Sequence, residues 1–79
     1  DPPPMKTLSE ITWSAKNNSS YLNGSRSART MRGAVRAARS YLASELFGEG
    51  TITYFVGGEP VRQDEQSLHT GGRIVTRAL

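Results

Sequence analysis

Between Ser27 and Gly48 the chain has no proline, and Met31, Val35, Ala38, Leu42 and Leu46 recur at spacings of four, three, four and four. Apolar side chains at that interval share one stripe of an α-helix and cannot share one face of a strand. No other feature of the sequence restricts the fold so strongly. Ser27 is suited to cap the start and Gly48 to stop the end. The spacing therefore predicts a helix from Ala28 to Phe47, about 30 Å long at about 1.5 Å per residue. Its frequent alanines agree with the pattern.

The segments around it read as strands. In residues 9–16, Ile11, Trp13 and Ala15 alternate with Thr12, Ser14 and Lys16, as in a strand with one buried face. A helical alternative stays open over residues 8–16, because Thr7-Leu8-Ser9-Glu10 fits a capping box. Asn17 to Ser20 has turn composition, Tyr21-Leu22 suits a short returning strand, and Asn23-Gly24 closes it. Thr51–Val56 is rich in β-branched and aromatic residues and predicts a strand. Val61–Leu68 and Arg73–Leu79 follow as further strands, with turns at Gly57-Gly58-Glu59-Pro60 and Thr70-Gly71-Gly72. The expected fold class is α+β: one long α-helix packed on a three- to four-stranded antiparallel sheet, in the order β-α-β-β-β.

The chain has 79 residues, which suits a single small domain, expected over residues 7–79. Asp1-Pro2-Pro3-Pro4 precedes Met5-Lys6-Thr7, which resembles a natural start. Residues 1–6 are therefore expected to be a poorly ordered tail, either a cloning remnant or a proline-rich linker. There is no cysteine and one histidine, His69, so neither a disulfide framework nor a metal site is expected, and no cofactor is implied. No apolar run approaches the roughly 18 residues of a membrane span, and no secretion signal is visible. The expected location is the cytoplasm, with no membrane partner. The formal charge of +3 leans toward an anionic partner.

That charge is concentrated. Ser25 to Arg39 contains five arginines and no acid, interleaved with nothing larger than Met31 and Val35. On a helical wheel Arg29, Arg32, Arg36 and Arg39 fall within roughly 80° of arc, centred about 120° from the apolar stripe. Gly33, Ala37, Ser40 and Ser44 occupy the adjoining face. Small side chains leave room for a partner to approach the helix backbone while guanidinium groups reach around it. Each guanidinium can hold a phosphate oxygen pair with two hydrogen bonds. Ser25-Arg26-Ser27 adds hydroxyls and a further cation where a helix starting at Ala28 would present free N–H groups. The competing reading is a solvated charged face, or arginines paired with Glu45, Glu49 or a partner's acids. No carboxylate lies between Ile11 and Ser44 to neutralise the row along the helix.

Other constellations carry less. Asp64 and Glu65 are adjacent, so on a strand they point to opposite faces, cannot act as an acid–base pair, and read as solvated edge charges. Ser67 and His69 lack a third orienting group, and His69 abuts a turn. Trp13 reads as core; Tyr54 and Phe55 face opposite ways, so one of them is a candidate for exposure. Thr7-Leu8-Ser9-Glu10-Ile11 and Leu22-Asn23-Gly24-Ser25 resemble the ends of the DNA-binding headpiece of LacI-type repressors, and Thr30–Leu42 resembles its third helix. The segment between them is several residues too short for a recognition helix, and membership of that family does not follow.

The expectation is a small non-enzymatic protein of bacterial or phage type that binds DNA or RNA. Arg26, Arg29, Arg32, Arg36 and Arg39 would contact phosphates, with Arg73 and Arg77 as auxiliaries. The alternative is an accessory or inhibitory module that binds an acidic protein surface or adds a strand to a partner's sheet. A small chain ending in a strand also suits a homodimer, which would supply burial that one helix cannot.

Overall fold

The computed structural model describes residues 10–17 and 23–79. One helix lies across one face of a five-stranded antiparallel sheet, and the chain order is β-β-α-β-β-β. The expected α+β class holds, with one strand more than expected.

The alternation in the first segment forms β1, Ile11–Asn17, with Ile11, Trp13 and Ala15 buried. This decides for the strand over the helix. The unforeseen strand is β2, Asn23–Ala28, antiparallel to β1 from Ile11↔Ala28 to Lys16↔Asn23. Its small and polar residues carry no apolar period, so only pairing with β1 defines it. Strands stand where a LacI-type headpiece would need helices. The tail at residues 1–6, the Thr7–Ser9 part of the capping box and the Tyr21-Leu22 strand lie outside the described residues.

The helix is shorter than its periodicity suggested. Ser27 lies inside β2, and α1 runs from Met31 to Ser44, 14 residues or about 21 Å. Thr30 is the N-cap: its backbone is extended, and its Oγ1 accepts the Gly33 N–H at 3.0 Å. Ser44 is the last helical residue, and the Gly48 N–H donates back to the Leu42 carbonyl at 2.8 Å. Phe47 sits between them at φ 54°, a left-handed backbone that favours glycine, with its ring exposed. Leu46 completes the apolar stripe from beyond the helix end.

Ala34, Ala38 and Leu42 bury the underside of α1 against Ile11, Trp13 and Ala15 of β1 and against Ile52 and Tyr54 of β3, Gly50–Val56. Two alanines at the contact let the helix lie close to the sheet. The close fit extends to Gly50. A Cβ there would meet the Lys16 carbonyl oxygen at 2.6 Å and Leu46 Cδ1 at 2.7 Å.

The second half is the expected meander. Gly57 and Gly58, at φ 59° and 87°, turn β3 into β4, Glu59–Gln66. A register shift between Tyr54 and Phe55 pairs them with Arg62 and Pro60, leaving Val61 as the extra residue of a bulge. Ser67 then caps a 3-10 turn, Leu68–Thr70, which ends the strand earlier than Leu68 and holds an exposed His69. The last strand, β5, is Val75–Ala78. Sheet order is β2-β1-β3-β4-β5, so β2 and β5 are the edges. The face opposite α1 carries Ser14, Lys16, Thr51, Thr53, Gln63 and Glu65 around a shallow depression of about 350 Å³.

Gly50→Ala forces backbone of β1 or β3 to move and should cost about 1–3 kcal/mol. A thermal melt should show the midpoint lowered by at least about 4 °C; an unchanged midpoint would refute the close packing of the β1–β3 seam against Leu46.

Candidate functional site

The loop between β2 and α1 and the first turns of the helix set out the arginines. Arg26 projects from β2, paired in register with Trp13, and is exposed. Arg29 precedes the N-cap, outside the helix rather than on it, and is exposed. Arg32 and Arg36 stand one turn apart on α1, both exposed. None of these four has an ion pair among the described residues. The Arg26 position corrects one expectation: Ser25-Arg26-Ser27 belongs to a strand and does not crown a helix N-terminus.

Arg39 departs from the row. Its Nε lies 3.4 Å from Asp64 Oδ2, and the side chain is 41% exposed. On the wheel it is only about 40° from Val35, the nearest residue of the apolar stripe within α1, so it leans down toward the sheet. Asp64 was expected to be a solvated edge charge and is instead fully buried. It stands opposite Ile52 on the helix side of β4. Tyr54 Oη donates to its Oδ2 at 2.8 Å, and Thr76 Oγ1 of β5 donates to its Oδ1 at 2.7 Å. Arg62, absent from the residues expected at the site, adds Nε and Nη2 at 3.4 Å from Oδ1 and lies over the Tyr54 ring at 5.4 Å. One signal for this centre was present in the sequence. On β4, Arg62, Asp64 and Gln66 are all polar where a half-buried strand should alternate, so that face has to find polar partners.

Burial by itself would raise the Asp64 carboxyl. Hydrogen bonds from Thr76 and Tyr54, then the charges of Arg62 and Arg39, outweigh it and hold the group below the usual carboxylate range. Burial, the hydrogen bond to Asp64 and that residue's charge push the Tyr54 phenol well above its ordinary value. The centre is a neutral phenol, an ionised carboxylate and two guanidinium groups around neutral pH.

The remaining expected site residues do not join the row. Arg77 stands opposite Gln63 on the open face of the sheet, where Nη2 is 3.6 Å from Glu65 Oε1. Arg73 lies in the turn before β5, exposed, at the edge away from β2. The small-residue side of α1 lies toward β2. Ala37, Ser40, Tyr41, Ser44 and Glu45 form one wall of a groove of about 510 Å³, with Trp13 and Arg26 opposite. Trp13 is buried with its ring edge-on to Tyr41 at 5.6 Å, and its Nε1 has no hydrogen-bond partner among the described residues.

Among the described residues no three His, Asp or Glu side chains gather as a metal site requires, and no helix is long and apolar enough to cross a membrane. No protein-family model matches the chain, and no curated protein or solved structure matches it.

The sign of the pH effect follows from the direction of the Asp64 shift. A carboxyl depressed in the fold adds stability above its ordinary value of about 4, and that stability is lost as pH falls through the folded value. The melting midpoint should be level near neutrality and drop below about pH 4. Asp64→Asn should lower it at pH 7 by the equivalent of roughly 2 kcal/mol or more, and flatten the acid limb. Parallel acid limbs in parent and variant would show that another group titrates.

Proposed function

We propose that the protein is a small non-enzymatic module that binds nucleic acid through the arginine side of α1. The observation that carries this reading is the exposed row Arg29, Arg32 and Arg36, with no carboxylate in ion-pair contact among the described residues. Solvated charged helix faces ordinarily mix signs; this one does not. From Arg32 to Arg36 the helix rises about 6 Å, with Arg29 beyond its start, while one strand of duplex DNA presents a phosphate per about 3.4 Å of axis. Several phosphates of one backbone therefore lie within reach of the row.

The geometry beside the row favours a duplex. Gly33, Ala37, Ser40 and Ser44 form a low strip, flanked by the arginine row on one side and by Arg26 of β2 across the groove on the other. An α-helix of about 10–12 Å diameter fits the B-DNA major groove, about 12 Å wide, and small side chains allow its backbone to approach base edges. Cations on both flanks suit the two phosphate backbones. Arg77 has a partner in Glu65 on the opposite face of the sheet and takes no part in this surface.

A second reading rests on β5. It is an edge strand, all four of its residues are exposed, and Val75 and the adjoining Leu79 are exposed apolar side chains. Such an edge suits strand addition to a protein partner or to a second copy of the chain.

Titration of a labelled duplex at about 50 and 200 mM salt separates the two. Binding should fall steeply across that range. Arg32→Ala with Arg36→Ala should weaken it about tenfold or more at the lower salt and flatten the log–log salt slope by nearly two, about 0.9 for each lost phosphate contact. No binding by the parent, or the same affinity and slope in the double variant, would discard the nucleic-acid reading and leave the strand edge.

A further inference from the structure

We propose that Arg39 and Arg62 form a paired-guanidinium clamp for one backbone phosphate, with Asp64 as the positioning residue that holds them. This rests on the nucleic-acid reading and extends the arginine row from the helix onto the sheet.

The two guanidinium groups come from different elements, Arg39 from α1 and Arg62 from β4, and approach opposite oxygens of one carboxylate. One negative charge against two positive leaves the cluster with an excess of one positive charge. Asp64 is fully buried, whereas Arg39 and Arg62 remain 41% and 28% exposed. The carboxylate therefore holds the arginines from below while their outer edges face water. Its contact with Arg39 uses Nε, which leaves both terminal nitrogens for a ligand; its contact with Arg62 uses Nε and Nη2, which leaves Nη1. Thr76 and Tyr54 occupy the remaining acceptor positions of Asp64, so the carboxylate has little freedom to rotate away. The Tyr54 ring under Arg62 restricts that side chain further.

An arginine on a free helix face gives up side-chain entropy when it grips a phosphate. Here that ordering has already occurred on folding, so each contact made by the pair should be stronger than one made by Arg32 or Arg36. The contacts with Asp64 are long at 3.4 Å, and a phosphate approaching from solvent would share the guanidinium groups with the carboxylate and leave it in place. A lone neutralising role for Arg62 would need only one cation beside Asp64. The presence of two, both partly open to solvent, is what points outward.

The test uses the full chain and a labelled B-form duplex of about two helical turns. Parent, Arg36→Ala, Arg62→Gln, Arg62→Lys and Arg39→Gln are titrated over a salt series, each with a thermal melt to confirm that it is folded at the assay temperature. The clamp predicts that Arg62→Gln weakens binding by about tenfold and flattens the log–log salt slope by about 0.9. Arg62→Lys should restore the slope and only part of the affinity, since lysine keeps the charge and loses the planar fork. Arg39→Gln and Arg62→Gln combined should cost less than the sum of the two, as residues on one phosphate do. Arg62→Gln that melts lower yet keeps the parent's affinity and slope would overturn the clamp and reduce Arg62 to a counter-charge. If Arg36→Ala weakens binding in that same series, only the clamp has failed. If the parent does not bind the duplex, the helix-row reading has failed and the clamp with it.

Discussion

The buried carboxylate of Asp64 ties together three parts of the fold that apolar contacts alone would leave loosely joined. It receives Tyr54 from β3, Thr76 from β5 and Arg39 from α1, with Arg62 of its own strand alongside. The apolar core lies mainly under β1 and β3, so β4 and β5 have few greasy residues to hold them against the helix side. A charge in such a place is strongly unfavourable unless it is paired and hydrogen-bonded. Every position in this cluster is therefore constrained by the others. Removal of any donor leaves part of an ion stranded away from water. The constraint acts as specificity as much as stability: only one register of β4 against β3 puts Asp64 beside the Tyr54 hydroxyl.

Close packing on the other half of the sheet follows a different rule. Ala15, Ala34 and Ala38 are fully buried, and Gly50 has no room for a side chain. Small residues bring helix and sheet near enough for Trp13, Tyr54, Leu42 and Leu46 to fill the rest. A domain of this size buries a modest fraction of its surface, so the absence of slack at these contacts matters. A departure from ideal geometry occurs at the helix exit, where Phe47 takes a left-handed backbone and leaves its ring in water. The turn is enforced from both sides, by buried Leu46 before it and by the Gly48 hydrogen bond after it.

These two halves give the arginines different characters. Arg32 and Arg36 stand on a helix whose other side is committed to the core, and Arg29 lies just before its N-cap, so all three are exposed to water without an ion pair among the described residues. Arg39 and Arg62 are drawn into the polar half and fixed by it. Arg77 is carried to the far face by its place in β5. Arginines from the basic stretch and from the C-terminal strands thus form a graded surface. The small-residue strip between the row and Arg26 keeps the helix backbone accessible along one side.

The sequence by itself determined that a helix lies between Ser27 and Gly48, placed Ala38 and Leu42 on its underside, and located β1, β3 and most of β4. Those features are local: a 3.6-residue or two-residue apolar period, turn glycines and the absence of proline act within one segment. It also marked Arg32 and Arg36 as exposed, because their angle from the apolar stripe leaves them no other place. It missed the fully buried Ala34, while Met31 and Val35 of its stripe are only partly buried. Tertiary structure alone decided the rest. Strand β2 has no apolar period and exists through its hydrogen bonds to β1, which displaced the helix start from Ala28 to Met31. Asp64 looked like a surface acid because the polar run of β4 showed only that this face needs polar partners, and not that Tyr54, Thr76, Arg39 and Arg62 would enclose this one carboxylate. Its partners are 2 to 25 positions away in the chain, and only the folded sheet with its helix brings them to the same two oxygens.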